Sequence, residues 1–286
     1  MADPRLAAQI RNRDFVVAPG VFDLISARLA DRMGFSALYV TGYGTVASHL
    51  GLPDAGIATY TEMLGRIAQI VKRTETPVIA DADTGYGGLL NVAHTVRGYE
   101  EAGVSAIQIE DQVFPKRCGH TPGREVIPTA EMVAKIRVAA DTRQSPDFLI
   151  VARTDARDAL GLDEAIARGR AYAEAGADVI FIEAPRSEAE MRRIGAEIST
   201  PLVANLVEGG STPILDTATL QDIGYGLSIH PVAPFLVAAS AMQQAYAGLR
   251  DRGTVPEGTE VFDFGEFSRL MGFEEVWAFA ERYSES

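Results

Sequence analysis

The residues best able to do chemistry are acids gathered at two places. Asp81-Ala82-Asp83 closes one apolar run, and residues i and i+2 of a strand point to the same side. Glu110-Asp111 closes the next run. Asp81, Asp83 and Glu110 together form an all-oxygen cluster that suits Mg²⁺, with Mn²⁺ as the alternative and several waters kept in the shell. Carboxylates this close repel unless a cation or a proton intervenes. The plainer reading is that one Asp caps a helix and the others are solvated.

Lys116-Arg117-Cys118-Gly119-His120 places two cations, a thiol and an imidazole within five positions. Positive neighbours lower a thiol's pKa and make it a proton donor or a nucleophile. Prolines and glycines from Pro115 to Gly123 give a loop long enough to act as a lid, so residues 113–127 are expected to gate a site. An incidental surface cysteine is the competing reading. Arg153 follows Val151 and Ala152 in an apolar run and needs an anion there, either a carboxylate ligand or a structural acid. Asn205 and Glu208, before Gly209-Gly210-Ser211-Thr212, could bind substrate or form a turn. His49 and His94 read as ordinary helix or loop residues, and His230 is ambiguous. The glycine-rich stretch from Asp83 to Gly88 lacks the Gly-Lys-Ser/Thr of a phosphate loop.

These groups need elements to bring them together. Eight short apolar runs cover 16–19, 37–42, 77–83, 106–112, 148–155, 178–185, 201–209 and 226–232. Helical signals fall between them. Thr59 or Thr61 can cap a stretch to Val71, and Asn91 opens one that ends at Gly103. Thr129 caps a stretch through Arg143, and 162–176 and 187–198 read the same way. Glu-Ala-Gly at 101–103 and 174–176 suits helices ended by a left-handed glycine. Repeated strand-helix alternation implies parallel strands, and strands buried on both faces read as continuous apolar runs. A closed (β/α)8 TIM barrel fits best, as one domain over 1–286. A doubly wound sheet is the alternative, weakened because no Gly-x-Gly-x-x-Gly follows the first strand. In a barrel, catalytic groups lie at the carboxyl ends of strands. Thr41-Gly42, Asp81 and Asp83, Glu110, Arg153 and Asp155, Glu183, Asn205 and His230 all end runs. Residues 234–253 and 264–283 read as two further helices, one more than a plain barrel needs.

The chain has 286 residues, with 26 Lys+Arg and 39 Asp+Glu and a net charge of −13. That balance argues against a nucleic-acid partner, which calls for a basic face. A single cysteine, Cys118, excludes an intrachain disulfide and zinc sites built on several thiolates. The first residues lack the apolar core of a signal peptide, and no apolar stretch approaches about 20 residues, so no membrane span is expected. A reducing, cytoplasmic compartment follows as the expectation.

Taken together, these motifs resemble the isocitrate lyase / phosphoenolpyruvate mutase superfamily over nearly the whole chain. The strongest marker is Lys116-Arg117-Cys118-Gly119-His120, which is similar to the signature of the lyase branch. Thr41-Gly42-Tyr43, Leu52-Pro53-Asp54, Asp81 to Gly85, Ile109 to Gln112, Ala152 to Asp155, Ile182 to Pro185 and Asn205 to Pro213 support it. The resemblance implies Mg²⁺ held mainly by Asp83, with Asp81 and Glu110 acting largely through water. It implies Cys118, Lys116, Arg153 and Tyr43 as catalytic residues, with Cys118 protonating a departing enolate. Substrate contacts fall to the Thr41, Gly42 and Tyr43 backbone and to Arg153. They extend to Asp54, Gly119, His120, Glu183 and Asn205. It implies a tetramer made of dimers that swap their last helix, here 264–284.

Within that branch, Asn205 to Gly210 and Phe264 to Leu270 resemble the dimethylmalate lyases and the petal-death type of C4 lyase. The position where methylisocitrate lyases carry an Arg matches Leu236. The expected activity is therefore Mg²⁺-dependent carbon–carbon cleavage of a 2-hydroxy dicarboxylate. A 2-alkylmalate such as 2,3-dimethylmalate or 2-methylmalate would give pyruvate and a carboxylate. The alternatives are 2-methylisocitrate cleavage, oxaloacetate decarboxylation or hydrolysis on the same site, and a non-catalytic binding barrel.

Overall fold

A computed structural model describes residues 2–117 and 123–284. The strands are β1 (Val16–Val21), β2 (Leu38–Val40), β3 (Val78–Asp81), β4 (Ala106–Glu110), β5 (Leu149–Thr154), β6 (Val179–Ile182), β7 (Leu202–Asn205) and β8 (Tyr225–His230). Each falls within or beside one of the eight apolar runs. All pair in parallel with their sequence neighbours, and β8 returns to β1, so the sheet closes into a barrel. Nearly every strand residue is buried, because inner and outer faces are both covered.

The helices are α1 (Pro4–Asn12), α2 (Leu24–Asp31), α3 (Gly42–Leu50), α4 (Tyr60–Arg73), α5 (Leu89–Glu101), α6 (Thr129–Thr142), α7 (Ala156–Ala159), α8 (Leu162–Glu174), α9 (Glu188–Glu197), α10 (Thr217–Ile223), α11 (Ala233–Arg252), α12 (Phe264–Leu270) and α13 (Phe273–Tyr283). α4 starts with a capping box: the Thr59 side chain accepts from the Glu62 amide, and the Glu62 carboxylate accepts from the Thr59 amide. Gly103 and Gly176 both take left-handed φ, at 88° and 110°, just past the ends of α5 and α8. The proposed cap at Thr129 is corrected: Pro128 holds the cap position, without a side-chain bond, and Thr129 is the first helical residue.

The barrel interior is filled by Val16, Ala18, Tyr39, Ile79, Leu149, Val151, Phe181, Leu227 and neighbours. α1 adds Leu6, Ala7 and Ile10 to that cluster. The Asp3 amide donates to Ser105 Oγ before β4, and Arg13 donates to the Ser199 carbonyl before β7, so α1 covers the amino ends of the strands. The carboxyl ends are left for chemistry.

The chain divides into two compact units, through Pro234 and from Phe235. In the second unit, the expected helix over 264–284 is broken: Met271 and Gly272 separate α12 from α13, and Gly272 has φ 89°. Among its described residues, α13 buries none and exposes Val276, Trp277, Phe279 and Tyr283.

Candidate active site

The carboxyl ends of seven strands converge on one pocket. It is lined by Tyr39 and Thr41 at β2, Asp81 at β3, Glu110 at β4, Arg153 at β5, Glu183 at β6 and Asn205 at β7. Tyr43, Asp54, Lys116 and Arg117 line it from the loops, and Ile229, Pro231 and Val232 form its apolar wall at β8. Glu110 and Arg153 are direct register partners, which places acid and guanidinium side by side.

The geometry at Asp83 differs from the strand reading. β3 ends at Asp81, and Asp83 turns into the left-handed region at φ 49°. Its amide donates to Asp81 Oδ1 at 3.0 Å, so the two carboxylates do not share a strand face. Asp83 Oδ1 instead meets Lys116 Nζ at 2.8 Å, and Lys116 also pairs with Asp54. Lys116 is buried, and although burial opposes its charge, Asp83 and Asp54 hold its pKa well above the usual value. Burial raises the Asp83 carboxyl to about 6, against the pull of Lys116.

Among the described residues, no group of three acids, histidines or thiols is close enough to chelate one ion directly. The donor set still fits a hydrated divalent cation. Glu110 Oε1 is buried with no hydrogen-bond partner, and burial pushes the Glu110 carboxyl well above its ordinary range. A group in that state calls for a proton or a cation.

Arg153 sits among three acids. It donates to both oxygens of Asp155, and approaches Glu183 at 3.3 Å and Glu110 at 3.4 Å. Its guanidinium also lies 5.0 Å from the Phe181 ring centroid. Asn205 Nδ2 donates to Glu183 Oε2 at 3.0 Å, while Asn205 Oδ1 is buried without a partner. Of the expected backbone donors, the Thr41 amide is already given to the Val21 carbonyl. Gly42 starts α3, whose first-turn amides lie outside the helix ladder. A Cβ on Gly42 would come within 2.5 Å of Asp81 Oδ2, so this position requires glycine for the close approach.

The base of the expected gating loop is a paired stem. Gln112 bridges Val126 in antiparallel fashion, and the Val113 amide donates to the Glu125 carbonyl. Gln112 also grips the Arg117 backbone from both sides, and Arg117 Nη1 donates to the Gly123 carbonyl at 2.8 Å. Cys118, Gly119 and His120 lie outside the described residues. His49 and His94 do not line the pocket; the His94 ring centroid lies 4.7 Å from the Tyr60 ring centroid, with the rings tilted by 50°. His230 is half-buried at the end of β8.

Residues 6–250 match the family model described as phosphoenolpyruvate phosphomutase. The chain belongs to the phosphoenolpyruvate mutase/isocitrate lyase superfamily. It is 50% identical over 276 residues to 2,3-dimethylmalate lyase of Eubacterium barkeri, covering 96% of each chain. It is 46% identical over 242 residues to 2-methylisocitrate lyase of Halalkalibacterium halodurans, covering 85% of this chain and 80% of the relative. A crystal structure of 2,3-dimethylmalate lyase superposes with a TM-score of 0.91 at 39% identity, covering 99% of this chain and 96% of that one.

For a member of this superfamily, sequence reasoning found most of the pocket and missed some of its supports. Tyr39 was hidden because an aromatic inside an apolar run reads as core; its hydroxyl donates to Gln108 Oε1 from the pocket floor. Arg124 and Asp155 were visible as charged residues, but their pairing joins segments remote in sequence.

Proposed function

We propose that the protein is a Mg²⁺-dependent carbon–carbon lyase for 2-hydroxy dicarboxylates, of the 2-alkylmalate kind. The observation that carries this reading is the pocket's division of labour: one buried guanidinium, two unpartnered buried acceptors, and an apolar wall. Arg153 suits a carboxylate. Asn205 Oδ1 can only accept, so it suits the substrate's hydroxyl. Ile229, Pro231 and Val232 suit an alkyl substituent. The 50% identity to a 2,3-dimethylmalate lyase supports the same choice.

Asp83 would be the main holder of the metal, with Asp81 and Glu110 acting largely through water and Mn²⁺ as a substitute. When bound, it supplies positive charge where the 2-oxo acid develops. A base removes the C2 hydroxyl proton, C2 becomes a ketone, and the C2–C3 bond breaks with its electron pair going to C3. The product is pyruvate and a carboxylate enolate. The Cys118 thiol gives its proton to C3, and Lys116, with its raised pKa, supplies fixed positive charge beside Asp54 and Asp83. Gly42 at the start of α3 offers its amide to the substrate carboxylate. Tyr43, Gly119, His120 and Glu183 complete the proposed substrate contacts.

The exposed aromatics of α12 and α13, including Phe264 at 84% exposure, support the proposal that these helices are covered in a helix-swapped dimer within a tetramer. No helix among the described residues is long and apolar enough to cross a membrane. The lone cysteine supports a cytoplasmic location.

A second reading is oxaloacetate hydrolysis or decarboxylation, favoured by a TM-score of 0.91 at 36% identity to an oxaloacetate acetylhydrolase structure. Cys118→Ser separates the two. It should cut 2-alkylmalate cleavage by about 10²–10⁴-fold, the usual range for losing a general acid. Turnover of oxaloacetate should fall less. Cleavage of 2-alkylmalates at the parent rate would refute the proposed proton donor.

A further inference from the structure

Asp155 is fully buried and holds two guanidinium groups at once. Arg153 donates to it side-on, from Nε to Oδ2 at 2.9 Å and from Nη2 to Oδ1 at 3.0 Å. Arg124 Nη1 donates to the same Oδ1 at 2.8 Å. The Asp155 amide donates to Asp111 Oδ1 at 2.9 Å, so its backbone is pinned as well. Arg124 belongs to the returning side of the stem, next to Glu125, whose carbonyl accepts from Val113. Its Nη2 reaches Asp158 at 3.1 Å, and Asp158 pairs with Arg186. Charged groups thus run without a gap from the pocket through the stem to the surface. Burial works against ionising Asp155, yet Arg153 and Arg124 together hold its carboxyl below the usual range.

The contacts of Arg153 with Glu183 and Glu110, at 3.3 and 3.4 Å, are longer than its bonds to Asp155. The side-on pair therefore sets the plane of the guanidinium. We propose that Asp155 is a positioning residue that orients Arg153 for the substrate carboxylate and ties that orientation to Arg124 in the stem. This rests on the reading of Arg153 as the carboxylate binder. Without Asp155 the guanidinium can settle toward Glu183 and Glu110. Misplacement of a binding group by about 1 Å can cost on the order of 100-fold.

The test compares the parent with Asp155→Asn, Arg124→Gln, the double variant and Arg153→Lys. The readouts are kcat and KM for 2,3-dimethylmalate and calorimetric affinity for oxalate in the presence of Mg²⁺. Asp155→Asn should weaken oxalate binding and raise KM by about 10-fold or more, with a smaller fall in kcat. Arg124→Gln should give a loss of about 3- to 10-fold in the same direction, although it touches no ligand. Because Arg124 acts through Asp155, the double variant should be no worse than Asp155→Asn alone. Losses that multiply would overturn the proposal. Should Asp155→Asn fail to fold, Arg124→Gln decides alone, and parent affinity for oxalate in a folded Arg124→Gln protein overturns it. Arg153→Lys separates the two readings. If it also binds oxalate like the parent, the carboxylate role of Arg153 has failed. If it alone weakens binding, only the positioning role has failed.

Discussion

Glu110 and Asp111 are neighbours at the end of β4, both buried, and their surroundings are opposite. Asp111 faces outward. It accepts from the Thr154 hydroxyl at 2.6 Å, the Tyr172 hydroxyl at 2.7 Å, the Asp155 amide at 2.9 Å and Arg168 Nη1 at 3.0 Å. Glu110 faces inward, with Arg153 at 3.4 Å and one oxygen that has no partner. Successive strand residues point to opposite faces, so one step along the chain separates a carboxylate finished by folding from one left for a ligand. The outer network costs the protein no unmet polar group; the inner one leaves acceptors that only a proton, cation, water or substrate can satisfy.

Substitutions can break this contrast. The largest stability effect is expected at Asp111→Ala, which strands Arg168, Tyr172 and Thr154. It should cost about 3–5 kcal/mol, the range for breaking a buried pair, read by chemical denaturation. Glu110→Gln should do the reverse. Its folded stability should match or exceed the parent's in excess chelator, while kcat/KM for a 2-alkylmalate falls about 10²–10³-fold. Equal stability losses at both positions would erase the distinction.

Asp83 gives a pH-dependent version. Its carboxyl lies at about 6 in the folded chain against 3.8 ordinarily, because burial outweighs Lys116. A raised carboxyl destabilises the fold once ionised. The penalty is absent below the unfolded value, grows between the two values, and is complete above the folded one. In excess chelator, the stability of Asp83→Asn relative to the parent should therefore rise between about pH 4 and 6, by up to about 3 kcal/mol. A flat difference would show that Lys116 fully offsets the burial. The smallest effect is expected at Asn205→Ala, which removes an acceptor and one donor to Glu183. It should lower kcat/KM by about 10-fold, the scale of one hydrogen bond, with Mg²⁺ affinity unchanged.

Most of the barrel could be read from the sequence, because strands buried on both faces leave apolar runs that helical signals interrupt. The starts of α4 and α9 were also legible, from Thr59 or Thr61 and from Ser187; the structure selects Thr59, whose cap Glu62 completes. α1, α2 and α3 were missed for different reasons: α1 and α2 do carry start signals, in Asp3-Pro4 and in Asp23 with Ser26, but are short at nine and eight residues, whereas α3 opens on Gly42-Tyr43-Gly44 with no side-chain cap. At the site, the polar strand ends at Thr41, Asp81, Glu110, Arg153, Glu183 and Asn205 could be read because a parallel barrel sends them to one mouth. The direction of Asp83 could not. It depends on a left-handed residue held between Asp81 and Lys116, and no local pattern encodes that pairing. The break at Gly272 was equally hidden, since the apolar spacing runs on from Phe264 to Tyr283 across it.

The most direct measurement is product analysis of the purified protein with 2,3-dimethylmalate, 2-methylmalate, 2-methylisocitrate and oxaloacetate, each with Mg²⁺ and with excess chelator. The expected result is one pyruvate and one propionate for each 2,3-dimethylmalate consumed, abolished by the chelator. Consumption of oxaloacetate with no pyruvate from any 2-alkylmalate, or cleavage that persists in excess chelator, would contradict it.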